Sequence, residues 1–493
     1  MNPLKRLASQ TAVYGVSSVF GRFLNYLLVP LFTYTFAPAE YGVVAEFYAY
    51  MGFLAVLLVF GLETGYFRFR DAGDRPHDIV YATALRFVIL SNSLFFLAAL
   101  VMQEPIAALL QHGDHPEYIW WIAAILAMDS VGSVAFARLR AENRAVRFAV
   151  IKVLEIGVNI GLNLFFIVVC RQAFESDPDS LPGRLWQPEI GIGYIFLANL
   201  VASGVKLLLL SPQLLGITTG FDSELFRRMI RYSLPMVVIG FAGIVNEMLD
   251  RAALKYLLPY DMETNMAQLG IYSAVYKLSI LMTLFIQAFR YAGEPFFFAH
   301  ARASGARDTY ALVLNWFVIF CVFIFLLVTL YIDLFQYFIG EPYREGLHVV
   351  PVLLVANLFL GIYVNLSIWY KLTDRTLMGA WVAIGGAGIT VALLLWWVPR
   401  FGYEGAAWAH FVCYGSMVLI SWLLGRRYYP VPYDLRRVAS YIASGVIILL
   451  LARWATVEMG LHWLVAATLG MTLYLAIVGW FDGRRLVRDL KAS

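Results

Sequence analysis

Charge is scarce in this chain of 493 residues: Asp, Glu, Lys and Arg make up 14% of it, against 61% apolar residues and a mean hydropathy of +0.72. Soluble globular domains carry about 25% charged residues, so this composition excludes that class. Cysteine is scarcer still. Cys170, Cys321 and Cys413 stand far apart, which rules out a disulfide framework and any zinc-ligand spacing. Long polar segments are also missing. The longest, 171–188, contains Asp177-Pro178-Asp179 and Leu181-Pro182, and about 18 residues cannot form a domain. No glycine-rich P-loop precedes a helix. No serine, histidine and carboxylate set points to hydrolysis. The chain therefore reads as a non-enzyme without cofactor or metal, and energy for any movement it drives must come from a gradient or a partner.

What remains is apolar and periodic. Fourteen stretches, at 9–36, 41–67, 79–103, 117–137, 146–170, 189–211, 229–257, 267–299, 308–332, 346–370, 377–398, 403–424, 438–456 and 460–481, are long enough to be spans one to fourteen. Each covers a hydrocarbon core of ~30 Å at ~1.5 Å per helical residue. The first follows Lys5-Arg6, is too long for a signal peptide and lacks a small-residue cleavage pattern, so it is expected to stay as a span. Of the 37 basic residues, 24 fall in connections on one side, six on the other and seven within spans. That bias places both termini in the cytoplasm of a polytopic inner-membrane protein. The same distribution explains the basic residues without nucleic acid.

The two halves are weakly self-similar. Arg140-Ala141-Glu142-Asn143-Arg144, after span four, matches Lys371-Leu372-Thr373-Asp374-Arg375, after span ten. Gly191-Ile192-Gly193-Tyr194 opens span six as Gly405-Ala406-Ala407-Trp408 opens span twelve, and Gly42 and Tyr48 correspond to Gly270 and Tyr276. An even number of spans per copy gives a parallel repeat about an axis along the membrane normal. The expected organisation is an N-terminal lobe 1–212, a cytoplasmic linker 213–228, a C-terminal lobe 229–426, and spans thirteen and fourteen with the tail at 427–493.

Ionisable groups inside spans are costly, about 2.5–3.5 kcal/mol each at the centre, and so face water or a partner. Span one carries Ser18, Arg22, Asn25, Tyr26 and Thr33 on one face, with Arg22 roughly 18 Å from the cytoplasmic end. Span five carries Lys152, Glu155, Asn159 and Asn163 as a single stripe; span three adds Arg86 and span four Asp129. Two readings stand for these groups. Lys152 pairs with Glu155 and Arg22 offsets Asp129 or Glu63, binding the helices together. Alternatively Arg22, Arg86 and Lys152 line a cationic cavity suited to phosphate oxygens. Gly157 and Gly161, four apart, read as a close helix contact. In the second half, Glu247 and Arg251 form an i, i+4 pair, Lys277 lies deep in span eight, Arg290 reads as snorkelling, and Pro295 marks a kink or boundary. His112 and His115 read as a solvated outer turn rather than metal ligands.

Several motifs now come together: Gly21-Arg22-Phe23-Leu24-Asn25-Tyr26, Val29-Pro30-Leu31-Phe32-Thr33 and Ala37-Pro38-Ala39-Glu40-Tyr41-Gly42 in the first half. Tyr232-Ser233-Leu234-Pro235, Asp250-Arg251, Gly270-Ile271-Tyr272-Ser273 through Lys277, and Lys371-Leu372-Thr373-Asp374-Arg375-Thr376 follow. In order and spacing the chain resembles bacterial oligosaccharide flippases, the Wzx-like polysaccharide transporter branch of the multidrug/oligosaccharidyl-lipid/polysaccharide exporter superfamily. The resemblance implies an all-α fold of two pseudo-symmetric lobes in a V around a central cavity, working by alternating access. It implies a polyprenyl-diphosphate-linked oligosaccharide as substrate, moved between leaflets of the bacterial inner membrane, with glycosyltransferases or a glycan polymerase as partners. Arg22, Asp250, Arg251 and Lys277 match its motifs, and Arg86, Lys152, Asn25 and Asn159 join them on the face argument. Asp129, Glu155 and Asp250 are the candidates for coupling to H+ or Na+. A drug or metabolite antiporter of the same superfamily is the alternative, which fourteen spans disfavour. A polysaccharide polymerase or ligase is a further one, which the small outer loops disfavour.

Overall fold

The computed structural model describes residues 20–73, 75–215, 220–301 and 305–492, and among them every regular element is a helix. Among the described residues, ten helices are long and apolar enough to cross a membrane. Gly193–Leu209 is shorter, Met262–Lys277 and Ile280–Phe298 form a bent pair, and Thr376–Tyr428 merges spans eleven and twelve across Gly402. With the helical residues between 20 and 35, each of the fourteen apolar stretches has its helix. The chain is an all-α, multi-pass membrane protein.

The breaks within spans have local causes. Span one turns at Leu27, whose N–H bonds Leu24 O at 3.0 Å, because Pro30 offers no N–H to the carbonyl four residues back. Gly402 adopts φ +57°, ψ −140°, a region open to glycine, and separates spans eleven and twelve. Span eight bends by 54° directly after Lys277. There the Ser279 N–H (3.0 Å) and O–H (2.7 Å) both donate to Tyr276 O, and the Asn357 amide donates to Ser279 Oγ at 3.1 Å. The hydroxyl thus ends one helix and leaves the next to start at Ile280. Pro295, the expected kink, lies inside Ile280–His300, which continues through it. Span five runs Ala145–Leu164, widens into a π turn at Phe165–Cys170, and closes as Arg171–Ser176.

Two compact units divide after Ala252, so most of span seven, Ser223–Tyr256, goes with the first. The first is centred on Leu62, Tyr66, Tyr81, Leu85, Val134 and Met229, from spans two, three, four and seven. Ala356, Trp369, Tyr370, Val382, Tyr414 and Met417, from spans ten to twelve, form a core of the second. Lipid tails are as apolar as these side chains, so close contact rather than water exclusion holds such helices together. A Cβ placed on Gly193 would lie 2.6 Å from the Tyr118 ring, and one on Gly361 2.5 Å from Phe317.

Local geometry repeats between the units. Asn143 (φ +58°) and Asp374 (φ +55°) both end a helix in the left-handed region. In each, the following N–H reaches five residues back, Arg144 to Leu139 O at 2.9 Å and Arg375 to Tyr370 O at 2.8 Å. Tyr48 meets Phe196 with centroids 6.2 Å apart, and its counterpart Tyr276 meets His410 at 6.0 Å.

Candidate functional site

The polar centre of the first unit forms where spans four, five and six converge. On span five, Lys152 and Glu155 are one turn apart, and Lys152 Nζ lies 3.0 Å from Glu155 Oε2. On span six, Ser203 and Lys206 share a face at the same spacing. A helical Cα–Cβ bond tilts towards the helix N-terminus, so the stem of Lys206 runs back into the bundle instead of out past the nearby end at Leu209. It lies along Gly132 of span four, where an added Cβ would sit 3.4 Å from Lys206 Cε. Its ammonium bonds Glu155 Oε1 at 2.7 Å and Asp129 Oδ1 of span four, and the Ser203 hydroxyl donates to the same Asp129 oxygen at 2.7 Å.

Two ammonium groups and two carboxylates therefore make a neutral chain: Asp129, Lys206, Glu155, Lys152. The Lys206 side chain is only 3% exposed, whereas that of Asp129 is 43% exposed and gives the chain an open end. Lys152 also rests 4.8 Å above the Phe136 ring. Lys206 did not stand out in the sequence because a lysine three residues from a helix end reads as snorkelling. Charge counting offered the signal: Asp129 and Glu155 together need more than Lys152.

Span one packs on span five in register. A Cβ on Gly21 would lie 2.5 Å from Ile156 Cδ1, and one turn further Asn159 Nδ2 donates to Asn25 Oδ1 at 3.4 Å. Asn163 returns its amide to Asn159 O at 2.8 Å. Arg22 is exposed and has no ion pair among the described residues. Both counter-charges expected for it are taken, Asp129 by Lys206 and Glu63 by Arg140. Gly157 and Gly161 do not mark a helix contact: among the described residues nothing lies within 4 Å of a Cβ built on either. The absent side chains leave that face of span five open.

The other sequence candidates have surroundings of their own. Arg86 of span three is exposed, again with no ion pair among the described residues. Arg251 Nη1 is neutralised by Asp250 Oδ1 at 2.7 Å and takes the main-chain carbonyl of Glu247, not its carboxylate as the i, i+4 spacing suggested. Lys277 is half-buried at the last residue before the bend of span eight, in the second unit. His112 is no solvated turn residue. Its Nε2 is 2.8 Å from Glu46 Oε2, a fully buried carboxylate of span two, and its ring lies 5.1 Å from Phe47. No group of three or more potential metal ligands occurs among the described residues.

No family model and no curated protein matches the chain by sequence. Solved structures do match. "Lipid II flippase MurJ, inward closed conformation" aligns with TM-score 0.72 and 13% identity, covering 96% of this chain and 99% of that one. The inward-facing conformation of a multidrug resistance MATE family transporter of the MOP superfamily gives TM-score 0.60 and 15% identity, with 89% and 98% covered. MATE multidrug transporter DinF-BH in complex with R6G gives 0.61 and 17%, with 87% and 97% covered. At such identities the likeness establishes the fold alone, the helical fold that these solved structures share.

Proposed function

We propose that this chain is a flippase of the bacterial inner membrane that carries a polyprenyl-diphosphate-linked oligosaccharide from the cytoplasmic to the periplasmic leaflet by alternating access. Both termini lie in the cytoplasm. Spans one to six and seven to twelve act as the two halves, the segment 213–228 links them, and spans thirteen and fourteen are appended. The chain makes and breaks no covalent bond; glycosyltransferases supply the substrate and a polymerase consumes it.

The observation that carries this reading is Arg22, a guanidinium within a span that is exposed and has no ion pair among the described residues. A charge so placed cannot face acyl chains at a cost of about 2.5–3.5 kcal/mol, so it faces water or an anion. A planar fork with parallel N–H donors suits the oxygens of a diphosphate. Exposed Arg86 adds a second such group, and Asn25 with Asn159 offers neutral donors for a sugar. Likeness in fold to a lipid flippase supports the same conclusion. The test is deletion of the gene followed by analysis of membrane lipids. Accumulation of a lipid-linked oligosaccharide on the cytoplasmic leaflet is expected; unchanged lipids would refute the reading.

The MATE-like folds and the Asp129–Lys206–Glu155–Lys152 chain favour one second reading, an ion-coupled antiporter of small molecules. Altered drug efflux with unchanged glycolipids in the deletion strain would establish it instead.

A further inference from the structure

We propose that Lys206 is a built-in cation: its ammonium occupies the place of an alkali metal ion among Asp129, Glu155 and Ser203, and so closes the first unit to sodium. This specifies ion use within the transport reading given above and rests on it for its meaning in coupling; the cation site itself stands on the geometry alone.

Three spans bring oxygen atoms to one point. Lys206 Nζ bonds Glu155 Oε1 at 2.7 Å and Asp129 Oδ1, while Ser203 Oγ stands 2.7 Å from that same Asp129 oxygen. Two carboxylates and a hydroxyl are hard oxygen donors of the kind that hold hard cations. Here the position between the carboxylates is filled by the protein's own charge. The stem is fixed along Gly132, so the ammonium is held at the site and a dissolved ion must compete with a tethered one.

The fold does not need these charges. The offset relating Asn143 to Asp374 carries Asp129 and Glu155 onto Leu360 and Gly386, and the offset relating Phe196 to His410 carries Lys206 onto Ile420. In the second unit the Cys413 thiol donates to Gly386 O at 3.5 Å, at the position that corresponds to Glu155. The same helix arrangement thus packs with apolar residues at all three positions. Asp129, 43% exposed along its side chain, leaves the site reachable from outside the bundle, which a purely structural ion pair would not require.

Removing the ammonium leaves two carboxylates with Lys152 alone, a net charge of −1 that an entering cation would cancel. The test uses the purified full-length protein in detergent at a fixed alkaline pH. Its unfolding temperature is followed by tryptophan fluorescence as NaCl replaces choline chloride at constant ionic strength. Wild type is expected to show no sodium-specific shift. Lys206→Ala, and Lys206→Gln as a milder change, should show a saturable sodium-specific rise of a few degrees, which the added Asp129→Asn change abolishes. A saturable sodium effect on wild type that Asp129→Asn removes would overturn the proposal, as would folded Lys206→Ala and Lys206→Gln proteins indifferent to sodium. Should neither variant fold without sodium, its recovery in NaCl but not in choline chloride supports the proposal, and recovery in neither overturns it. Because the readout is ion binding, a wild type that moves no glycolipid yet passes this test would refute the transport reading and leave the site standing.

Discussion

Glu46 and His112 are joined at 2.8 Å between Oε2 and Nε2, across 66 residues of sequence, with the carboxylate fully buried in span two. Removing the His112 ring takes a hydrogen-bond partner from a buried carboxylate, a bond worth about 1.5–3 kcal/mol. His112→Ala should therefore lower the unfolding temperature. Glu46→Gln, which removes the charge but keeps the shape, should cost less. In the double variant most of the His112→Ala loss should return, a coupling that thermal unfolding of the four proteins in a double-mutant cycle measures.

Arg22→Ala is expected to reduce glycolipid translocation about 10- to 100-fold, from the ~1.5–3 kcal/mol of a hydrogen bond to a charged group. The unfolding temperature should stay unchanged, since the side chain is exposed with no ion pair among the described residues. Reconstituted vesicles loaded with lipid-linked oligosaccharide give the rate, and full activity of the variant would remove Arg22 from the site. Lys at this position should recover only part of the rate, because a point charge lacks the fork.

Asp222 caps the helix of span seven. Its Oδ1 accepts the Leu225 N–H at 2.9 Å, its Oδ2 is 3.1 Å from Arg75 Nε, and its own N–H donates to Thr83 Oγ1 at 3.2 Å. The Leu225 N–H first, and Arg75 after it, hold this carboxyl below the usual carboxylate range. A depressed folded-state pKa adds stability above the unfolded value of about 3.9, and that contribution fades as pH falls through the folded value. The gap in unfolding temperature between wild type and Asp222→Ala should be widest near neutral pH and shrink on acidification below about pH 4. A gap that grows with acid would contradict the assignment.

The left-handed positions Asn143 and Asp374 should answer substitution in the same way. Asn143→Gly and Asp374→Gly are expected to be neutral or mildly stabilising. Asn143→Val and Asp374→Val should each cost about 1–2 kcal/mol, since a branched Cβ clashes at positive φ. Thermal unfolding of the four single variants checks it.

Much of this architecture is legible in the amino-acid order, because lipid imposes a strong rule: a span must be long, apolar and helical. Every apolar stretch consequently has its helix, and the paired turns at Asn143 and Asp374 share one backbone geometry. Partner choice is less legible, because it depends on where a side chain is aimed. Lys206 looks like an interface anchor until the tilt of its Cα–Cβ bond turns it inward. Glu46 gives no sign that its partner comes from a distant loop. Gly157 and Gly161 have the spacing of a packing motif, but spacing does not say whether a neighbour arrives. The bend of span eight follows a serine with two bonds to one carbonyl, a subtler signal than the proline eighteen residues beyond Lys277.

The wide turn at Phe165–Cys170 has an effect on everything that follows it in span five. One surplus residue turns the downstream segment by about 100° relative to an uninterrupted helix, and it is in that rotated frame that Arg171 Nη1 reaches Thr35 O, 3.3 Å away at the close of span one. A helical wheel drawn straight through this region would aim Arg171 elsewhere. Excising a single residue between 165 and 170 should do the same to the protein, severing the tie to Thr35 while leaving the length of the span almost untouched.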